Sequence, residues 1–259
     1  MMKRIYFRII LFVSSVAMAA CSVKEDRGAC PSHLVLDFSS VDTSRVREVS
    51  LLMSGKSGTR DLMRFRAEEF YPELRIEAPR EELLLNVYAG VDQDWLSDKG
   101  MTIPYGEDSP PVYMYVTGLE KLGDEENMRV SLFKNHSRMS VEIVGDAHLS
   151  SHIRVVGKVD GYLTDGTPSS GSFSYQLEYE DGKYEVVLPR QMDASLMLEI
   201  DDGSGVLKYF AIGEYIAAGG YDWNSPDLED IEVLIDWAST DISVVIKAWD
   251  KVYDCEVVI

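Results

Sequence analysis

Apolar and polar residues alternate at period two through most of this chain. In its first half, HLVLDF (33–38), VREVSLLM (46–53), ELLLNVYAG (82–90) and VYMYV (112–116) are short β-favouring runs. MRVSLF (128–133), RMSVEIVG (138–145), IRVVGKVDGYL (153–163), GSFSYQLEYE (171–180) and KYEVVLP (183–189) follow. SLMLEID (195–201), VLKYFAIG (206–213), IEVLIDWA (231–238), ISVVIKAWD (242–250) and VYDCEVVI (252–259) complete the series. Such alternation marks strands that lay one face on a core. Asp-Gly pairs at 165–166, 181–182 and 202–203 supply hairpin turns. No long stretch carries the helical period. The helical candidates are RAEEF (66–70), EYIAA (214–218) and one turn opened by Asn224-Ser225-Pro226, with proline at the first helical position. Strands recurring every 8 to 15 residues or so predict an all-β chain built as sandwiches rather than as a parallel sheet.

The strand series is interrupted at Glu120-Lys121-Leu122-Gly123-Asp124-Glu125-Glu126-Asn127, which is polar, charged and poor in apolar residues. A domain boundary is expected there. It divides the chain into an N-terminal β-sandwich over 32–122 and a C-terminal β-sandwich over 127–259. No internal repeat or low-complexity segment is evident.

The N-terminus follows a different pattern. Lys3, Arg4 and Arg8 precede an apolar core from Ile9 to Ala20 that ends in small side chains. This is the pattern of a secretory signal, too short for a membrane span of about 20 apolar residues. Ala19-Ala20 stand directly before Cys21, which resembles a bacterial lipobox, with Met18 where leucine is preferred. The expectation is a lipoprotein signal peptide over 1–20, acyl chains (palmitate or similar) on Cys21, and a tether over 21–31. Several chains at about 0.8 kcal/mol per buried methylene make a stable anchor. The bland alternative is an ordinary signal with a chance cysteine. Lys24, Glu25 and Asp26 resemble the export signal of surface lipoproteins in Bacteroidetes-type bacteria, or are simply part of a solvated tether. Cys30 and Cys255 then remain in an oxidising compartment. They either form a disulfide or stay as two separate buried thiols.

The 259 residues carry a formal charge of −19. Such a surface repels phosphate backbones, which excludes nucleic acid as a partner class. It also repels anionic lipid, so membrane attachment falls to the lipid on Cys21.

The sequence shows no catalytic constellation, and no cofactor or metal is expected. His148 and His152 have a zinc-like i, i+4 spacing but lie between strands and lack the glutamate of a metalloprotease motif. GKSGT (55–59) has Ser50 where a phosphate-binding loop needs glycine, and it reads as a turn. The acid pairs Glu68-Glu69, Glu81-Glu82 and Asp201-Asp202 are expected by chance among 44 acids. No calcium-binding loop of the helix–loop–helix kind is present. Tyr221 and Trp223 are the interaction candidates. An aromatic pair in a loop either plugs the end of a sandwich core or binds a sugar or a protein.

Several segments together resemble a family. They are the lipobox cysteine, the acidic tether, Asp26-Arg27-Gly28-Ala29-Cys30-Pro31 running into HLVLDF, and IGEYIAAGGYDWNSPDLEDIEVLIDWASTDISVVIKAW (212–249). They resemble the FimB-type fimbrial anchor and assembly lipoproteins of Bacteroidetes, which belong to type V fimbriae. The resemblance implies two transthyretin-like β-sandwiches in tandem. It also implies an outer-membrane, surface-exposed, lipid-anchored protein that holds a fimbrial fibre, terminates its assembly and is not an enzyme. Its partner would be a fimbrial stalk subunit, joined by strand pairing. Stalk subunits of such fibres are opened by cleavage after an arginine; the resemblance implies that an anchor keeps its lipidated N-terminus and is not opened that way, although Arg45, Arg47 and Arg60 offer sites for such a cut. VYDCEVVI at the C-terminus is either a donor or edge strand or a plain closing strand. The competing function is a glycan-binding surface lipoprotein that would use Trp223 or Trp95. A hydrolase with convergent carboxylates is the third reading.

Overall fold

The computed structural model describes residues 30–120, 122–144, 152–201, 207–237, 241–247 and 252–257. It confirms an all-β chain arranged as two β-sandwiches, each holding its own apolar cluster.

The first sandwich opens with β1 (Ser32–Asp37), β2 (Glu48–Gly55) and β3 (Arg60–Arg66), followed by the one-turn helix α1 (Ala67–Phe70). It continues through β4 (Glu73–Ala78) and β5 (Leu83–Ala89). A short excursion carries β6 (Leu96–Ser97) and β7 (Gly100–Thr102). The chain then forms β8 (Tyr113–Leu119), β9 (Glu125–Arg129) and β10 (Phe133–Lys134). One sheet has the order β4-β1-β9 and the other β10-β8-β5-β2-β3. Alternation decides which side chains enter the space between them. In β4, Leu74, Ile76 and Ala78 face in while Glu73, Arg75 and Glu77 face water. Leu34 and Leu36 of β1, Leu51 and Met53 of β2, and Leu85 and Val87 of β5 complete this core with Phe38 and Phe70.

The five-stranded sheet is covered on its other face as well. Leu52, Tyr88 and Met114 belong to the apolar cluster of the second sandwich. That explains why LLLNVYA in β5 is almost continuously buried instead of alternating.

The second sandwich contains β11 (His136–Val144), β12 (His152–Leu163), β13 (Pro168–Gln176), β14 (Glu178–Glu180), β15 (Lys183–Pro189) and β16 (Met197–Asp201). Next come β17 (Leu207–Phe210), the helix α2 (Ile212–Ala218), β18 (Asp230–Asp236), β19 (Asp241–Lys247) and β20 (Val252–Val257). Its sheets run β14-β15-β11-β18-β19-β20 and β17-β16-β12-β7-β6, with β13 beside β12. The Asp165-Gly166 and Asp181-Gly182 pairs turn the expected hairpins, and both residues of the second pair take positive φ (49° and 91°), as a tight hairpin turn requires. The third expected pair, 202–203, lies outside the described residues.

The division between the sandwiches differs from the expected one. Residues 120–127 do not end the first sandwich, because β9 begins at Glu125 and pairs in parallel with β1. Its Glu125, Asn127 and Arg129 side of the strand faces solvent, and that is why the stretch reads as a polar break. The crossover comes later, at Asn135, between β10 and β11. In addition, β7 pairs with β12 through Gly100↔Leu163 and Gly161↔Thr102, so part of 32–122 completes a sheet of the second sandwich. Asn224-Ser225-Pro226 does not open a helix. Asp222 starts a turn instead, accepting the Asn224 N–H on Oδ1 at 2.9 Å and the Ser225 N–H on its carbonyl at 3.1 Å.

Candidate functional site

Cys21 and Lys24-Glu25-Asp26 lie outside the described residues, which begin at Cys30-Pro31, the end of the expected tether. From there the chain enters β1, the middle strand of its sheet. Six residues of β1 pair with β4 and five with β9. Arg80, whose side chain is 17% exposed, closes over this point. Its Nε donates to the Cys30 carbonyl at 2.8 Å, and its guanidinium pairs with Asp124. The Asp124 carbonyl in turn accepts the His33 N–H at 3.0 Å. A second ion pair, Arg75 to Glu125 at 2.8 Å, joins β4 to β9 across the outer face of β1. Cys30 itself is exposed and its thiol is free, so of the two arrangements open for Cys30 it shows the unpaired one, though not buried. The two positions belong to different sandwiches: Cys30 leads into β1, while Cys255 is opposite Val244 on the outermost strand of a six-stranded sheet.

Tyr221 and Trp223 are brought together at the end of the second sandwich, with ring centroids 4.5 Å apart. Tyr221 is 8% exposed and its hydroxyl donates to the Glu229 carbonyl at 2.7 Å. Trp223 packs half-buried against the core. Their loop is held by Arg190, a residue that the sequence did not single out. Its guanidinium donates to the carbonyls of Trp223, Ser225 (2.8 Å) and Pro226 (3.3 Å), and to Asn135 Oδ1 at 3.0 and 3.1 Å. The Tyr162 hydroxyl donates to the Asn135 carbonyl and accepts the Arg190 N–H at 2.8 Å. Burial pushes the Tyr162 and Tyr221 hydroxyls up, which keeps both as proton donors. One planar fork therefore ties the 221–228 loop to the crossover residue between the sandwiches. The aromatic pair plugs a core. Trp95, on the 3-10 turn Gln93–Trp95, is likewise packed against that cluster.

The other candidates resolve into structural roles. Glu81 accepts the Ser57 N–H at 2.6 Å and the Thr59 hydroxyl at 2.7 Å, and Glu82 pairs with Lys56 at 2.7 Å. This acid pair thus fastens GKSGT, which is the β2–β3 hairpin turn. Glu69 caps α1 by accepting the Arg66 N–H at 2.7 Å. Arg45 and Arg47 are exposed in the loop between β1 and β2, and Arg60 starts β3. His152 is exposed, and His148 lies outside the described residues. Among the described residues no group of three or more His, Cys, Asp or Glu could hold a metal ion. A cleft of about 840 Å³ lies where the chain crosses between the sandwiches, lined by Val46, Arg47, Tyr88, Val91, Pro111 and Leu132 among others.

Two titratable groups, the half-buried Asp108 and the buried His136, lie beside these crossings. Asp108, between β7 and β8, accepts the Val187 N–H at 2.9 Å, and burial pushes its carboxyl up to about 6. His136 opens β11 with its Nδ1 3.0 Å from the Val112 carbonyl, and burial pulls its imidazole down to about 4. Their signs oppose. The raised Asp108 value penalises the fold at neutral pH, and the penalty is relieved as pH falls through about 6 towards 3.8. The lowered His136 value removes stability as pH falls from 6.5 to about 4. Asp108→Asn should therefore add about 1–2 kcal/mol at pH 7.5, allowing for the carboxyl's partial exposure. It should add nothing near pH 4, so its acid limb is steeper than the wild type's. Urea denaturation at several pH values checks this. An unchanged profile would contradict the assignment.

No protein-family model matches the sequence, and no curated protein matches it. Solved structures do match. A candidate polysaccharide-binding protein of Bacteroides thetaiotaomicron superposes with a TM-score of 0.62 at 14% identity, covering 87% of this chain and 98% of the other. The fimbrial anchor protein Mfa2 from Porphyromonas gingivalis gives 0.61 at 13% identity, covering 87% and 99%. A candidate adhesin from Bacteroides ovatus gives 0.57 at 9%, covering 88% and 96%. At these identities the likeness establishes the fold: the chain shares the all-β architecture of a fimbrial anchor protein over nearly the whole of both molecules.

Proposed function

We propose that this chain is a lipid-anchored protein of the cell surface that holds a fimbrial fibre on the outer membrane and ends its assembly. The observation that carries the reading is the seating of the tether. Cys21, which resembles a lipobox cysteine, lies nine residues before Cys30, and from Cys30 the chain enters the central strand of a sheet, where Arg80 fastens it. A fold shared with a fimbrial anchor protein over 99% of that protein supports it. The adhesin named for a third matched structure is in keeping with it, while the polysaccharide-binding name of the first speaks for the glycan alternative.

In this reading the lipid on Cys21 resists pulling, Lys24-Glu25-Asp26 direct the protein outward, and the fibre's last subunit adds a strand to a free edge. Main-chain hydrogen bonds give such strand addition its affinity. β20 is the closing strand of its sheet, paired with β19 along Val252–Val257, and its outer edge is one place where a subunit strand can pair. The chain works by binding and carries out no catalysis. The glycan-binding alternative loses its best platform, because Tyr221 and Trp223 are turned into the core. Capture of the surface-labelled protein from intact fimbriated cells tests the proposal. Fimbrial subunits should co-purify; glycan-uptake proteins in their place would overturn it.

A further inference from the structure

We propose that the sheet β4-β1-β9 is a load-bearing clamp that passes tension from the tether into the fold. The clamp rests on the anchor reading for its purpose but not for its mechanics.

The first part of the argument is direction. Cys30 and Pro31 lie at one end of β1, beside Pro79 and Arg80. At the other end, β1 runs into the loop Ser40–Arg47, which lines the cleft at the crossovers together with Pro110, Pro111 and Leu132. The tether thus enters one end of β1, and the chain leaves for the second sandwich near the other end, from its parallel neighbour β9 through β10. Tension between them runs along β1, so its ladders are loaded in shear and must break together instead of one bond at a time.

The second part is bilateral support. β1 has partners on both sides, from Ser32↔Ala78 to Asp37↔Glu73 with β4 and from His33↔Glu125 to Asp37↔Arg129 with β9. Its Leu34 and Leu36 are fully buried. A hairpin edge such as β3 is held by one neighbour alone.

The third part is the pair of straps. Arg75 on β4 is opposite Val35, and Glu125 on β9 is opposite His33, so their ion pair crosses β1 on its outer face. Arg80 and Asp124 make a second crossing at the point where the tether arrives. Exposed ion pairs add little to equilibrium stability. Their placement gives them a different use here. They tie β4 directly to β9, so β1 cannot leave without forcing its neighbours apart.

Single-molecule pulling on the mature chain tests this, with Cys21→Ser and Cys255→Ser. One handle is the exposed thiol of Cys30, and the other is introduced by Met192→Cys at an exposed site in the second sandwich. The reference geometry moves the first handle to the β2–β3 turn by Cys30→Ser and Lys56→Cys. Rupture through β1 should need about twice the force of rupture through β3, because two ladders break at once. The Arg75→Ala, Arg80→Ala double variant should narrow that ratio. Raising the salt should narrow it for the wild type and leave it unchanged in the double variant. A ratio of one or below overturns the clamp, and a ratio indifferent to both straps and salt overturns the part assigned to the ion pairs. The measurement uses no fibre. A weak β1 therefore counts against the clamp alone, whereas failure to capture fimbrial subunits from cells counts against the anchor reading alone.

Discussion

Arg190→Met is expected to destabilise the second sandwich by about 2–4 kcal/mol, since charge-assisted hydrogen bonds are worth about 1.5–3 kcal/mol each and several are lost together without adding fully. Methionine keeps much of the stem's volume but none of the five donors. The carbonyls of Trp223, Ser225 and Pro226 lose their shared partner, as does Asn135 Oδ1. Arg190→Lys should recover only part of the loss, because a point charge cannot span four acceptors as a planar fork does. Denaturation followed by tryptophan fluorescence reports it, because Trp223 is on the released loop. If Tyr221 and Trp223 formed an outward-facing binding platform, the same substitution would leave stability within about 0.5 kcal/mol, the range of ordinary surface changes.

Gly161→Ala should be at least as damaging, at about 3–5 kcal/mol, combining overpacking of about 1–3 kcal/mol with backbone strain of about 1–2 kcal/mol. Gly161 has φ of 152°, and a Cβ there would lie 2.0 Å from the Met101 carbonyl oxygen. Gly100, on the facing strand, is in the reciprocal position: its φ is 117° and a Cβ would lie 2.1 Å from the Tyr162 carbonyl oxygen. Two backbones approach here with no room for a methyl group on either side. β7 is the strand through which the first half of the chain joins a sheet of the second sandwich. The loss should therefore be local at first. Hydrogen exchange should speed up over residues 96–103 before the rest of the chain responds, and calorimetry should broaden from one transition towards two. A uniform loss of protection would contradict the role assigned to β7.

Period-two alternation made most of the strands legible, and it did so where one face of a strand meets water. β4 illustrates both the strength and the limit of that signal. ELRIEA alternates cleanly, yet it is six residues long between Pro72 and Pro79 and was not among the expected strands. β3 was hidden by its arginines, which protect a sheet edge and resemble a loop in composition. β6 and β7 are too short to show any period, and the pairing of β7 with β12 depends on a glycine contact across some 60 residues of sequence. The domain division was misplaced for a related reason: the polar face of β9 looks like a linker until its pairing with β1 is seen. At the candidate site, the core-plugging role of Tyr221 and Trp223 was one of two readings open from sequence. Arg190 was not readable at all, because its significance comes from four carbonyl and amide oxygens converging from two distant segments.

The central claim is that a lipid on Cys21 holds a fibre to the cell through this fold. Capture from intact fimbriated cells, comparing wild type with Cys21→Ala, tests it most directly. With the wild type, fimbrial subunits should be recovered with the cells and the surface-labelled protein. With Cys21→Ala, fibres should be found in the medium with the unlipidated protein still at their base. Fibres that stay on the cells in the variant, or a wild-type protein that captures no fimbrial subunit, would contradict the account.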